Sequence, residues 1–312
     1  MSKILVLAGG SVKGAFQAGV IKAVFESNFQ PDAIYGISAG GMNASFLINN
    51  FGKQSKKNKD IDFFKAALDL CNFWKTRITS PNALATRRGT YELGLSALRR
   101  NFQGLLNTEP LHKLLHQTID VKNLLNSPIQ LKVGAVDILN GGIVYADPSY
   151  DNFLDYIMAS SAIPILMPVV NIGGHKKQAF LDGGLRDVAP MQKAIQEGGT
   201  EIICIACHTK HIEGGYFEYG NLLSLVDRTM DIAVNESLNN DIDWAEFMND
   251  ALPEDGTPAH DGILKGKRRI KLTIIRPEEP LLVDIQNFDK ADIQRLISLG
   301  YKYGKQKMEG YF

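Results

Sequence analysis

Cysteine is scarce in this chain: three among 312 residues, an odd count that gives no disulfide framework and points to a reducing compartment. The cytoplasm is the expected location. An excess of charge is missing too. The 34 Lys and Arg balance 34 Asp and Glu, so no long-range field favours nucleic acid or an anionic membrane, and no nucleic-acid partner is expected. No apolar run reaches the roughly 18 residues that a membrane-crossing helix needs, which leaves only peripheral contact with a membrane surface. The opening Ile4-Leu5-Val6-Leu7-Ala8 is too short for a signal-peptide core and no cleavage site follows, so it reads as a first strand. No period of roughly twenty to fifty residues repeats. What is there, 45% hydrophobic and 22% charged residues, is the make-up of a globular chain with a sizeable core.

The start of the chain uses one arrangement twice. Residues 3–8 form a β-rich run ended by Gly9-Gly10, and residues 15–25 carry apolar side chains at helical spacing. After Pro31 a second buried run, 33–37, meets Ser38, and the small residues Ala39, Gly40, Gly41 and Ala44 open another helix. Two strands each followed by a helix predict parallel pairing, because parallel strands need crossover connections. Residues 51–60, with Lys53, Lys56, Lys57 and Lys59, read as a solvated loop. Interrupted helical periodicity then marks an insertion at about 61–126, in which Asn107-Thr108-Glu109-Pro110 caps and starts one helix. Asn140-Gly141-Gly142 joins strands 131–137 and 143–146 into a hairpin. Helix 153–161, strand 179–182, helix 190–197 and strand 201–207 follow; a C-terminal extension at about 221–312 adds helix 222–247, strand 270–275 and helix 291–303. The expected fold is a single α/β domain over 1–312: three layers, α/β/α, around a mixed, mostly parallel central sheet. The insertion is expected beside the second strand-to-helix turn, as a lid or contact surface.

Gly36-Ile37-Ser38-Ala39-Gly40 fits G-x-S-x-G, in which flanking glycines permit a sharp strand-to-helix turn that exposes a serine hydroxyl. The plain alternative is a tight turn whose serine caps a helix. Gly9-Gly10-Ser11-Val12-Lys13-Gly14 lies between the first strand and first helix, where backbone N–H groups can hold an anion. Its spacing matches neither G-x-G-x-x-G nor a Walker loop, and a purely structural turn stays open. A serine hydroxyl needs a base to become a good nucleophile. None of His112, His116, His175, His208, His211 and His260 has a distinctive setting, and a nucleophile after only the second strand fits the usual α/β-hydrolase order poorly. Asp182, in Phe180-Leu181-Asp182-Gly183-Gly184, ends a short strand where α/β sheets gather reactive side chains.

Taken in order, these segments resemble the patatin-like phospholipase family: the glycine loop its G-G-G-x-R/K-G, residues 36–40 its G-x-S-x-G, and Asp182-Gly183-Gly184 its D-G-G/A. Ala159-Ser160-Ser161-Ala162-Ile163-Pro164, running on to Met167-Pro168-Val169, is similar to the family's A-S-x-A-x-P segment. The resemblance covers residues 3 to about 190 clearly and continues more weakly through the final helix. It implies a patatin-like fold and a Ser38–Asp182 dyad in which Asp182 takes the Ser38 proton and an acyl-enzyme forms. It also implies an oxyanion hole around Gly9, Gly10, Ser11, Lys13, Gly14 and Ala39, with Gly36, Gly40, Gly183 and Gly184 shaping the motifs. The implied substrate is a lipid ester (phospholipid, lysophospholipid or neutral lipid), with neither metal nor organic cofactor. Ser11 departs from the usual third glycine, and Met167 from a frequent phenylalanine. Acyl transfer through the same intermediate, or a lipid-binding scaffold without chemistry, are the alternatives.

Cys204-Ile205-Ala206-Cys207-His208 matches C-x-x-C-H, but the cysteines sit in the apolar alternation of a core strand, so packing rather than haem or metal is expected. Arg87-Arg88 and Arg99-Arg100 read as a solvated helix face.

Overall fold

The computed structural model describes residues 2–57, 60–98, 102–174, 178–212 and 217–311. The first half holds β1 (Ser2–Leu7), α1 (Gly14–Glu26), β2 (Ala33–Ile37), α2 (Ala39–Ser55), α3 (Phe63–Arg77), β3 (Thr86–Arg87), α4 (Thr90–Leu98), β4 (Leu106–Asn107), α5 (Glu109–Thr118) and α6 (Val121–Leu125). Next come β5 (Gln130–Asp137), β6 (Ile143–Ala146), α7 (Phe153–Ser160), β7 (Val170–Asn171), β8 (Ala179–Asp182) and α8 (Met191–Gln196). The chain continues through β9 (Gly199–Ile205), α9 (Leu222–Asp250), β10 (Lys271–Ile275) and α10 (Lys290–Met308).

Eight strands form one sheet in the order β10-β9-β1-β2-β5-β8-β7, with β6 also paired to β5. The stretch from β10 to β5 is parallel, while β6, β7 and β8 are antiparallel additions. This is the mixed, mostly parallel α/β sheet expected. Alternation along β1 explains the layering: Leu5 and Leu7 join the larger core with α1, α2, α3 and α10, whereas Ile4 and Val6 join the second core with α8 and α9. On the larger face α10 lies directly on α1. A Cβ at Gly19 would stand 2.1 Å from the Ile297 carbonyl oxygen, and one at Gly300 would stand 1.9 Å from that of Phe16.

Three expectations are corrected. The segment read as a solvated loop begins inside α2, because Phe51 and Gly52 are buried and Gly52 presses against the Asn123 backbone. The chain turns outward only at Lys56, and Lys59 lies outside the described residues. The insertion is not purely helical, since β3 and β4 pair as a small antiparallel ribbon within it. Strand β9 ends at Ile205, so Cys204 is in the strand but Cys207 and His208 sit in the turn beyond it. Both thiols are buried and free, as is that of Cys71. Among the described residues no helix is long and apolar enough to cross a membrane.

Candidate active site

β2 delivers the chain to Ser38, which adopts φ 55° and ψ −126° before α2 begins at Ala39. A serine held at positive φ stores on the order of 1–3 kcal/mol and needs a surrounding that enforces it. That surrounding is present. A Cβ at Gly36 would lie 2.4 Å from the Gly40 carbonyl oxygen, and one at Gly40 would lie 2.1 Å from that of Leu7, so only glycine allows the turn to close. The Ser38 N–H donates to the Ser160 hydroxyl at 2.9 Å, and the Ser38 carbonyl accepts the N–H of Met42 at 3.1 Å.

Asp182 arrives from the other direction. β8 pairs antiparallel with β5, Asp182 opposite Ala135, and β5 pairs in parallel with β2, Gly134 opposite Ile37. Gly134 carries no side chain between them, and a Cβ there would strike Ile37 at 2.3 Å. Asp182 therefore reaches the serine of the turn, and both are buried. Burial pushes the Asp182 carboxyl up to about 7, against the hydrogen bonds from the Gly184 N–H, 2.8 Å away, and the Ser38 side chain, which favour its charged form. One segment supports both residues, since the Ala162 carbonyl accepts the Asp182 N–H at 3.0 Å two positions after Ser160.

The glycine loop lies alongside. The N–H of Gly9 donates to the Val188 carbonyl at 3.0 Å, that of Lys13 to Gly10, and that of Gly14 to Ser11. These three positions spend their N–H groups inside the protein. The N–H groups of Gly10 and Ser11, and of Ala39 at the start of α2, meet no acceptor among the described residues. Gly10 has an extended φ of 175°, and its smallness is required by space: a Cβ would stand 2.4 Å from Cys207 Cβ. Ser11 has φ 50°, the left-handed conformation that a third glycine would adopt more easily. Lys13 turns away to meet Asp231 at 3.0 Å; Asp231 also receives His208 Nε2 at 3.2 Å and Arg228 at 3.3 Å. Burial works against a charged Asp231, but the His208 hydrogen bond and Lys13 outweigh it and hold the carboxyl well below its usual range. His208 is thus committed to Asp231, and burial and Lys13 hold its imidazole below its ordinary value.

The family model described as Patatin-like phospholipase matches residues 5–195, well over half the chain. The chain belongs to the patatin-like phospholipase family. It is 28% identical over 203 residues to Uncharacterized protein YjjU of Escherichia coli (strain K12), covering 64% of this chain and 50% of that protein. The chain thus spans about half the length of that curated relative. Among solved structures it is similar to VipD from Legionella pneumophila, at 14% identity and TM-score 0.43, covering 99% of this chain and 67% of that one. It is also similar to the heterodimeric ExoU-SpcU complex from the type III secretion system of Pseudomonas aeruginosa, at 13% identity and TM-score 0.33, covering 99% and 51%.

Beside this patatin-like centre opens a cavity of ≈ 670 Å³ that Ser38, Asp182, Gly10 and Ser11 all line. Its far wall comes from α9, with Asp227, Met230 and Val234, and from the segment before α10, with Leu281, Leu282 and Ile285. No described residue of 61–126 lines it, but the insertion touches its edge: the N–H groups of Leu105 and Leu106 donate to Ile165 and Leu166, and Arg87 to Gln286 of the lining. Ala66, Ala67, Leu70 and Trp74 form the buried side of α3 and press it behind the site, where Trp74 meets Gly14 and donates to Asn43 at 2.8 Å. Of the remaining histidines, His112 and His116 lie side by side on α5 with centroids 4.3 Å apart and rings tilted by 43°, His211 and His260 are exposed, and His175 lies outside the described residues. Arg88 pairs with Glu92 and Arg87 with Gln286; Arg99-Arg100 lie outside the described residues. Among the described residues no three His, Cys, Asp or Glu side chains gather as metal ligands.

Proposed function

We propose that the chain hydrolyses fatty acyl esters of phospholipids, lysophospholipids or neutral lipids, with Ser38 as nucleophile and Asp182 as its general base. The observation that carries the reading is the pairing of a serine held at positive φ with a buried carboxyl raised to about 7, at the wall of one cavity. A base near the working pH is partly ionised yet basic enough to accept a proton. Asp182 takes the Ser38 proton as the oxygen attacks the ester carbonyl, and the oxyanion receives the N–H groups of Gly10 and Ser11, worth about 3 kcal/mol each in comparable sites. Asp182 returns the proton to the leaving alcohol, leaving an acyl group on Ser38. Water, deprotonated by Asp182, then releases the fatty acid and restores the serine.

A lipid as substrate is supported by the cavity's apolar rim, where Leu185, Ile212 and Leu282 are exposed, and by neighbouring Ile165, 53% exposed at φ 69°. These side chains suit peripheral contact with a lipid surface. The test is fluorophosphonate labelling read by intact mass, with turnover of phospholipid vesicles, in wild type, Ser38→Ala and Asp182→Asn. Labelling and turnover in wild type, both lost in the folded variants, is the expected result. An unlabelled wild type, or labelling that survives Asp182→Asn, overturns the dyad.

A further inference from the structure

Asp241 lies on α9, beyond residue 195 where the family match ends, yet it reaches the turn that follows Asp182. Its Oδ2 accepts two N–H groups, those of Val188 and Ala189, each at 3.0 Å. The Ala189 N–H and the Val188 carbonyl belong to one peptide unit, and that carbonyl accepts the Gly9 N–H at 3.0 Å. A continuous run of hydrogen bonds thus leads from a carboxylate on α9, across one peptide, to the residue preceding Gly10 and Ser11. Each bond in such a run polarises the next, and a buried N–H left without its acceptor would let the loop move.

We propose that Asp241 is a positioning residue for the oxyanion loop, acting through the Val188–Ala189 peptide. The inference rests on the Ser38–Asp182 reading. Its second support is Asp187, whose Oδ1 is buried and meets no donor among the described residues, while Tyr145 donates to its other oxygen. A proton on Asp241 supplies the missing donor and joins the two carboxyls. Burial, then the Asp187 charge, pushes the Asp241 carboxyl up to about 7. Burial also raises Asp187. The other titratable groups around the pair are the Tyr145 phenol on β6 and the Cys204 thiol on β9; burial raises both, so they stay neutral, and Lys193 and Arg276 lie farther off. Above neutral pH the shared proton is lost and Asp241 faces Asp187 as a like charge, while its carboxylate accepts the Val188 and Ala189 N–H groups more strongly.

The test compares Asp241→Ala and Asp241→Asn with wild type, measuring kcat and KM on a soluble p-nitrophenyl ester from pH 5 to 9 and the rate of fluorophosphonate labelling at Ser38. Alanine leaves two buried N–H groups without an acceptor, and kcat is expected to fall roughly 10- to 100-fold with KM changed less than about threefold. Asparagine accepts the same N–H groups and donates to Asp187, so it is expected to recover most of that loss. If the alanine variant does not fold, Asp241→Ser, whose shorter side chain cannot hold both N–H groups, takes its place, and an unchanged kcat in it overturns the inference. So does an alanine variant with unchanged kcat, or equal losses in both variants. A wild type that the probe never labels overturns the hydrolase reading instead, which separates the two failures.

Discussion

The Ser160 hydroxyl accepts the N–H of Ser38 at 2.9 Å inside the core, and nothing else among the described residues takes that N–H. The bond pins the residue whose φ is 55°, so the tension of the turn is held from α7 as well as by the glycines around it.

Ser160→Ala removes this acceptor. Leaving a buried N–H unsatisfied costs about 1–3 kcal/mol, and the loss is expected in urea unfolding. Because the serine is then less well aimed, kcat is expected to fall at least about tenfold while the variant still folds, a separation that paired denaturation and ester-hydrolysis assays measure.

The Asp182 carboxyl, raised to about 7 from an ordinary 3.8, sets two pH dependences of opposite sign. Activity needs the charged base, so kcat/KM is expected to rise with pH through about 7 and to level above it. Stability runs the other way. Between the unfolded and folded values the native state holds a proton that the unfolded chain has lost, so this group's contribution falls as pH climbs from about 4 to about 7. Asp182→Asn escapes that loss and is expected to be the more stable protein at pH 8, by up to roughly 4 kcal/mol, and to match wild type below pH 4. Urea midpoints at both pH values check it.

Gly10 is fixed by a neighbour rather than by its own torsion, which gives a double-mutant test. Gly10→Ala drives a methyl to 2.4 Å from Cys207 Cβ and is expected to cost about 1–3 kcal/mol and most of the labelling. Cys207→Gly added to it restores labelling, whereas Cys207→Ala, which keeps the Cβ, does not.

Ser11 occupies a left-handed backbone position, and its hydroxyl makes no hydrogen bond among the described residues. Ser11→Gly relieves on the order of 1 kcal/mol of strain, offset in part by the freer unfolded chain, so stability is expected to hold or rise slightly. Turnover persists, because the proposed contribution of this residue is its N–H and not its hydroxyl. A tenfold loss of kcat would show that the hydroxyl matters.

What was legible in the sequence is what local backbone demands write there. Gly36 and Gly40 announce a turn that tolerates no side chain, and the doubly buried runs of β1, β2 and β9 announce a covered parallel sheet. The family, the fold class and the order of motifs followed from these. The far wall of the cavity did not, because nothing local in helix 222–247 shows that Asp227 and Asp231 face Lys13, nor that Asp241, outside the cavity, reaches Val188. The same limit explains Gly9, whose N–H looks available until Val188 is brought beside it. Lysine-rich composition suggested a loop at 51–60, but a buried Phe51 packed on Phe25 and Phe63, with Gly52 pressed on α6, outweighed it. Trp74 could have signalled that the insertion packs behind the site, since a large indole in an amphipathic helix seeks a buried wall and a hydrogen-bond acceptor, here Asn43.

The backbone contact between α1 and α10 has a consequence in time. Helix α1 springs from the glycine loop, and its outer face is closed by Lys290–Met308 through Gly19 and Gly300. A chain still emerging from a ribosome exposes Ser38 and Asp182 long before that backing helix exists. The proposed nucleophile and base are made first, and a cut ahead of α10 is expected to loosen α1 and the glycine loop from which it springs.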